Sequence, residues 1–428
     1  MFGHVLFIIF ILILLTSQPA YAYIDPGTGS MLFSVVLCSV TTLYFLLNSL
    51  IIKIKTKLFS EKSLAKVKHK FVIYSEGKQY YTVFKPILDE FEKRNIVVSY
   101  YTSAQDDPVL VENYEYVQKE YIGSDNKAFF KLAFLKADVC LMTTPQLDVL
   151  QLKRSKEVKH YSHIMHSIGF SMLYRLFSLD YYDSVLCDAE YQIPMIREIE
   201  QKRNLPAKEL KIVGSSYLDY CMENLPQRNS PDNFCILIAP SWGAHSLLTK
   251  FGEKLLDELV NSTSYDIVVR PHPQSMLVEK DLIENLKNKY IDCTRLKWDF
   301  SANNLQVMAN SDILISDFSG IMLDYAFLFK KPFLYVDTKI NYEMYDFCDL
   351  DEEIPCKHRI ANEIGKKLDI DNGDVENIVE IINQVKQDEN LSEKIEKASD
   401  YTWFYKGDAA KNIVDFLVEK QLEVSEKW

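Results

Sequence analysis

The sequence predicts an α/β protein whose bulk is two halves, each a mostly parallel sheet with helices on both faces. Three observations lead there. From residue 70 onward, short apolar segments alternate with amphipathic ones, the pattern of parallel strands joined by crossover helices. The polar stretch NLPQRNSPDN at 224–233 interrupts that alternation and carries prolines, so it reads as a linker. The length, 428 residues, suits about two globular domains with additional segments.

Two apolar runs precede the first half. Residues 5–16 read VLFIIFILILLT, and SQPAYA follows, with Ala20 and Ala22 in the A-x-A arrangement of a signal-peptidase site. Residues 1–22 are therefore read as a signal peptide or a first transmembrane helix. Residues 30–52 carry no charge. As a helix they would be about 35 Å long, enough for a hydrocarbon core of about 30 Å, and they are expected to span a membrane. Residues 53–69 form a basic juxtamembrane linker with Lys53, Lys55, Lys57, Lys62, Lys66 and Lys68. Positive flanks stay in the cytoplasm, so everything after residue 70 is expected there whether or not 1–22 is cleaved. The lysines read equally as a topology signal or as a patch on anionic headgroups.

The first half, 70–223, places strands at KFVIYS, NIVVSYY, ADVCLMTT, HYSHIMHS, DSVLCD and ELKIVGSS, with helices at YTVFKPILDEFEKR and NKAFFKLAFLK. The second, 234–407, places strands at FCILIAP, YDIVVRP, DILISD and PFLYVD, and 408–428 reads as a closing helix. Hydrophobic residues make up 48% and charged residues 25%, which fits a buried core and excludes disorder as the main theme. The formal net charge of -12 argues against nucleic acid as a partner, because phosphate backbones need a basic surface. The 8 cysteines form no close C-x-x-C pair, and most sit in apolar runs as buried thiols of a reducing compartment.

Four strand ends carry residue types suited to chemistry. In DILISDFSGIMLDYAF a strand runs into a helix, with Ser316, Asp317 and Ser319 at the turn and Gly320 opening the helix. Free N–H groups and the positive helix end make such a start a seat for a diphosphate. Asp317 would repel phosphate, so it orients the turn or binds a hydroxyl; the plainer reading makes Ser319 only an N-cap. In YDIVVRPHP, Arg270 and His272 leave a strand together, a pair suited to a phosphate whose charge grows during reaction, or else part of a surface turn. HYSHIMHSIGF presents His160, His163 and His166. His160 and His163 also read as metal ligands, but carboxylates nearby are scarce and no metal is expected. His166, where strand becomes loop, can take a proton from a hydroxyl near cellular pH; each of the three also has a purely structural reading. In ILIAPSWGAHS, Ser241, Trp242 and His245 follow a strand, and Trp242 either stacks on a base or packs between the halves.

Taken in order and spacing, these segments resemble the CDP-glycerol:poly(glycerophosphate) glycerophosphotransferase family of teichoic-acid-type polymerases, over roughly residues 155–420. APSWG is similar to its A-P-T-W-R, VVRPHP to its R-x-H-P, SDFSGIMLDYAFLFKKPFLYVD to its S-D-x-S-S stretch, and YKGDAAKNIVDFL to its closing acidic-glycine segment. The resemblance implies a glycosyltransferase-B-type fold, two Rossmann-like domains facing a cleft, with the final helix packing back on the first. It implies transfer of a polyol phosphate from a CDP-activated alcohol to a hydroxyl of a lipid-linked or polymer acceptor, with release of CMP and no cofactor, at the cytosolic face of a bacterial inner membrane. His166 falls on the family's H-G histidine, His272 on that of R-x-H-P, and Ser316 and Ser319 on the diphosphate-holding turn. Arg270, Asp317, Gly320 and Ser241 complete the implied donor site. The chain departs from the pattern at Ser167 for the glycine of H-G, Gly243 for the arginine of A-P-T-W-R, Gly320 for the second serine, and GSSYLD (214–219) for G-x-P-R-x-D. Transfer of a sugar from a nucleotide-sugar on the same fold, and a non-catalytic membrane-anchored scaffold, are the rival readings.

Overall fold

The computed structural model describes residues 38–43 and 68–426, except 170–171, 230–232, 302, 338–340 and 371–372. Residues 38–43 are an exposed helical stretch in which the Thr42 hydroxyl donates to the Cys38 carbonyl at 2.7 Å. They belong to a unit, Met1–Ser63, distinct from the body of the chain. Apart from that stretch, the expected membrane segments at 1–22 and 30–52 lie outside the described residues, as does most of 53–69. Among the described residues no helix is long and apolar enough to cross a membrane.

The body holds two sheets, parallel throughout. The first runs β3-β2-β1-β4-β5-β6-β7. Its strands are β1 (His69–Ser75), β2 (Val98–Thr102), β3 (Val117–Tyr121), β4 (Ala137–Met142), β5 (Val158–Ile164), β6 (Ser184–Cys187) and β7 (Glu209–Ile212). The second runs β10-β9-β8-β11-β12-β13. It consists of β8 (Cys235–Ile238), β9 (Asp266–Val269), β10 (Leu296–Trp298), β11 (Ile313–Ser316), β12 (Phe333–Val336) and β13 (Lys366–Leu368). The central strands are buried along their length, as strands covered on both faces must be. Strand order reverses between β1 and β4 and again between β8 and β11, and such reversals open a crevice beyond the carboxyl ends of the strands.

Three hydrophobic clusters hold these layers. One fills the outer side of the second sheet, with Ile236, Leu255, Ile267 and Ile382. Another lies on the outer side of the first sheet. There the Tyr81–Lys93 helix buries Val83, Phe84, Ile87, Leu88 and Phe91 at helical spacing. The third runs from the first sheet (Val72, Tyr74, Met142, Val185) across to the second (Leu237, Leu314, Phe333), so the lobes share a core. The Ile321–Phe329 helix belongs to that shared core. It is apolar nearly all round and buried from Met322 to Leu328, as a helix enclosed on every side must be. Asp324 is the one charge in it; its carboxylate accepts the Tyr217 hydroxyl of the first lobe at 2.8 Å, and burial pushes it up to about 7.

Two further devices join the lobes. The final helix, Ala409–Glu426, returns to the first sheet and buries Ile413, Val414, Phe416 and Leu417 in its outer cluster. Asp219 fastens the return by accepting Trp403 Nε1 at 3.1 Å and Ala409 N at 3.0 Å. At Gly214, φ is +90° and a Cβ would stand 2.5 Å from the Phe404 carbonyl oxygen, so only glycine fits. GSSYLD thus uses its glycine and aspartate to dock the closing helix. The second device is a strap. Residues 342–350 lie along 172–178 of the first lobe, with Asp346 N donating to Tyr174 O and Phe347 N to Met172 O, both at 2.9 Å. Arg203 locks it by donating to Asp180 and Asp346 at 2.7 Å and to Asp349 at 2.6 Å.

Candidate functional site

The carboxyl ends of β8 and β11 form one unit, organised by Asp317. Ser316 turns inward and its hydroxyl donates to the Ala239 carbonyl at 2.7 Å. The fully buried Asp317 carboxylate accepts Ser241 N at 2.9 Å, Leu247 N at 2.9 Å and Ser319 N at 3.2 Å. Burial raises its pKa, making it a weaker acid, and the three amides oppose the rise. Of the two roles open to it, Asp317 takes the first: it orients the turn and the 239–247 loop. Ser316 is likewise a pin between strands. Ser319 and Gly320 are half-buried at the helix start, no side chain caps that start, and a Cβ on Gly320 would meet nothing within 4 Å. The space beside Gly320 is therefore open at the helix start, as an anion seat requires. Ser241 is buried, with its hydroxyl on the Asp317 carboxylate side of the loop. Gly243, where the family pattern has arginine, sits at φ +95° and donates to Glu279 at 2.8 Å, a left-handed backbone that would strain an arginine. Replacing Asp317 by alanine strands three buried amides at about 1–3 kcal/mol each. The variant is expected to lose at least about 3 kcal/mol in urea denaturation and to bind donor weakly; unchanged stability would show that the loop holds itself.

His272 follows β9 and is half-buried. Its Nδ1 accepts Gln274 N at 3.1 Å, so the neutral ring carries its proton on Nε2 and offers a donor there. Burial lowers its basicity, against a smaller opposing effect of Glu279. The Trp242 ring lies 6.3 Å away, tilted by 30°, so the exposed Trp242 borders His272 and does not fill the space between the lobes. Arg270 is committed elsewhere: its guanidinium donates to Asp299, to Ser301 Oγ at 3.1 Å and to Ser301 O at 2.8 Å.

On the first lobe the structure separates the three histidines. His160 bonds Ser184 Oγ at 2.9 Å and packs on Phe416 of the closing helix. His163 is fully buried, donates Nε2–H to the Thr143 carbonyl at 3.2 Å, and lies between the Tyr174 and Tyr182 rings; burial brings it down to about 3. Among the described residues no group of three metal-binding side chains forms. His166, half-buried beyond β5, shares a hydrogen bond of 2.7 Å between Nδ1 and Tyr174 Oη and touches the Tyr80 ring edge. Burial lowers it to about 4, so the ring is neutral at cellular pH. When Nδ1 carries the proton and donates to Tyr174, the Nε2 lone pair is left to act as a base. From His166 the chain passes through Gly169, at φ +66°, where a Cβ would fall 2.3 Å from Leu323 Cδ1 and 3.7 Å from Lys357 Cγ. The His166 loop thus meets the start of the Ile321–Phe329 helix.

Sequence reasoning missed four residues here. Tyr80, Tyr174 and Lys357 lie in segments with no periodic or motif signal. Glu76 follows β1, half-buried, with burial raising it, and its charge acts on both Tyr80 and Tyr174. A strand running into S-E-G-K was its available signal.

Two parallel-sheet lobes, one carrying the His166 loop and the other the helix start that this loop meets, make a two-lobed α/β architecture of the kind that binds ligands beyond the carboxyl ends of its strands. Residues 222–419 match the CDP-Glycerol:Poly(glycerophosphate) glycerophosphotransferase family. That match covers the second lobe and most of the closing helix, and it supports a CDP-glycerol glycerophosphotransferase-like, teichoic-acid-type transferase. No curated protein sequence matches it. Solved structures share its fold. The wall teichoic acid polymerase TagF in a CDPG soak is 17% identical with TM-score 0.54, the match covering 91% of this chain and 98% of that one. A TagF variant is 18% identical with TM-score 0.56, covering 89% and 97%. The UDP-GlcNAc 2-epimerase of Methanocaldococcus jannaschii, with UDP-GlcNAc and UDP, is 14% identical with TM-score 0.52, covering 82% and 100%.

Proposed function

We propose that this chain moves a polyol phosphate from a CDP-activated alcohol to a hydroxyl of a lipid-linked or polymer acceptor and releases CMP. The observation that carries the reading is the contact of the His166 loop with the uncapped helix start, Gly169 against Leu323. In this reading the donor diphosphate rests on the Ser319–Gly320 turn, with the Ser241 hydroxyl beside it. The acceptor oxygen attacks the distal phosphorus, and its proton passes to His166 Nε2. The bond from that phosphorus to the bridging oxygen breaks, and CMP leaves with the bridging oxygen's electron pair. The Nε2–H of His272 stabilises the charge that develops on the phosphates. Positioning and electrostatics supply most of the rate, as in other phosphoryl transfers. Arg270 acts from behind, holding the β9–β10 ends together through Asp299. Residues 30–52 would tether the enzyme to the cytoplasmic membrane, where a lipid-linked acceptor is presented.

Glu76 supports a second reading. A half-buried carboxylate facing the tyrosines around His166 suits a sugar ring, as transfer from a nucleotide-sugar would require. The released nucleotide separates the two. With purified full-length chain, an acceptor and either CDP-glycerol or UDP-sugars, we expect CMP; release of UDP with no CMP would replace phosphotransfer by glycosyl transfer.

A further inference from the structure

We propose that Glu76 selects the acceptor by taking a hydrogen bond from a hydroxyl next to the one that attacks, so that the acceptor used is one ending in a vicinal diol. The assignment rests on the phosphotransfer reading above, and it gives Glu76 to the acceptor where the nucleotide-sugar reading gives it to the donor. Glu76 stands where strand order reverses, between β1 and β4, the point at which a crevice opens beyond the strand ends. The parallel register sets Tyr74 of β1 beside Met142 of β4, and Met142 beside His163 of β5. Glu76 and Thr144 follow two residues on, and His166 three residues on. Three adjacent strand mouths therefore carry Glu76, Thr144 and His166 in a row. The pleat fixes the face. Val72 and Tyr74 on β1, like Cys140 and Met142 on β4, belong to the core shared with the second lobe. At a period of two, Glu76 and Thr144 fall on that same side, and the Thr144 hydroxyl faces the Glu76 carboxylate. β1 and β5 lie two strand spacings apart, about 10 Å. A carboxylate and an imidazole reaching inward from those two ends leave a gap the width of a small diol.

The fold gives Glu76 no cation. Among the described residues it enters no ion pair, and what acts on it is its own burial and the Thr144 hydroxyl. Its charge is felt by Tyr80 and Tyr174, the two tyrosines whose rings lie 5.3 and 5.5 Å from that of His166. A half-buried carboxylate without a compensating charge costs stability, and its place in a crevice beside a base marks it as a group kept for a ligand. Ionised, it accepts hydrogen bonds and donates none, so it suits hydroxyls and repels phosphate. Adjacent hydroxyls address both groups at once: one loses its proton to His166 Nε2, and the other donates to Glu76.

The test uses full-length chain in membranes, with CDP-glycerol as donor and CMP release as readout. Two acceptors are built on the same lipid phosphate, one ending in glycerol, with adjacent hydroxyls, and one ending in propane-1,3-diol, with a single free hydroxyl. The wild type should favour the glycerol end about tenfold to a hundredfold in kcat/KM, the worth of one hydrogen bond to a charged group. Glu76→Ala should bring the glycerol end down to the level of the propanediol end, through acceptor KM and not donor KM, and change the propanediol end less than about threefold. Glu76→Gln, which keeps one acceptor oxygen, should retain only part of the preference. Equal use of both acceptors by the wild type, a preference that survives in E76A, or an equal loss on both acceptors overturns the proposal. A loss confined to donor KM does so as well and returns Glu76 to the donor. If E76A fails to fold, E76Q decides: a reduced preference upholds the proposal and an undiminished one overturns it. The parent reading fails separately, through absence of CMP release by the wild type with either acceptor, or full activity in His166→Ala. CMP release that needs His166 but ignores the second hydroxyl removes Glu76 only.

Discussion

Replacing His166 by alanine should slow CMP release by about a hundred- to ten-thousandfold, the usual worth of a positioned general base, while leaving donor binding close to normal. The asymmetry follows from where the groups stand. The proposed donor seat belongs to the second lobe, on the Asp317-held turn, whereas His166 comes from the first and approaches that turn through its own loop. The loss should therefore fall on kcat, with little change in donor KM. The pH profile adds a second check. Burial brings the ring down to about 4, so it stays unprotonated from pH 8 to pH 6, and the wild-type rate should not fall across that interval through His166. A variant with most of its rate intact would remove His166 from the chemistry. A rate that halves with a bend near pH 6.5 would show the imidazole to be solvated.

Arg203→Ala should cost about 3–5 kcal/mol of stability, the penalty for leaving buried carboxylates without their partner. The Arg203 side chain is 9% exposed, against 7% for Asp180 and 2% for Asp346, so water cannot replace it. Lys202, next in sequence, makes the contrast. Its ion pair with Asp351 has partners 35% and 87% exposed, and Lys202→Ala should change stability by less than about 1 kcal/mol. Urea denaturation of both variants measures the difference directly. Lysine should not rescue position 203, because one ammonium cannot reproduce a fork that serves three carboxylates. Activity should fall as well, since the strap that Arg203 locks also carries the backbone bond to Tyr174, the partner of His166. Equal, small losses in both variants would show the cluster to be solvent-screened.

The central strands and the division into two halves were legible because buried parallel strands are written as continuous apolar runs. The three strands absent from the sequence reading, VQKEY, LKW and KKL, are β3, β10 and β13, and all lie at sheet edges. Each is short, half solvated and only partly apolar, so no run announces them. At the site, the motif residues were legible as types and their roles were not. Ser316 and Asp317 look from sequence like ligands of a phosphate, yet their partners are the Ala239 carbonyl and three amides. Those partners lie about seventy residues away or two residues on. Arg270 gives the same lesson: nothing in VVRPHP tells of Asp299. Tyr174 carries no local pattern because it acts through His166, eight residues back, in a contact that only the folded loop makes.

The docking of the last helix also sets the order in which the protein is completed. Arg94 bonds Asp415 across 321 residues of sequence, and the outer face of the first sheet is covered by Ile413, Phe416 and Leu417. On the ribosome that face emerges early and is covered only in part, by the Tyr81–Lys93 helix, until nearly the entire second lobe has been translated. Domain-by-domain maturation, the usual route for chains of this size, therefore leaves the amino-terminal lobe short of one of its two outer helices until the end. A nonsense mutation just before residue 409 should therefore leave a fragment with part of that apolar face exposed and low solubility, although every candidate-site residue had been made.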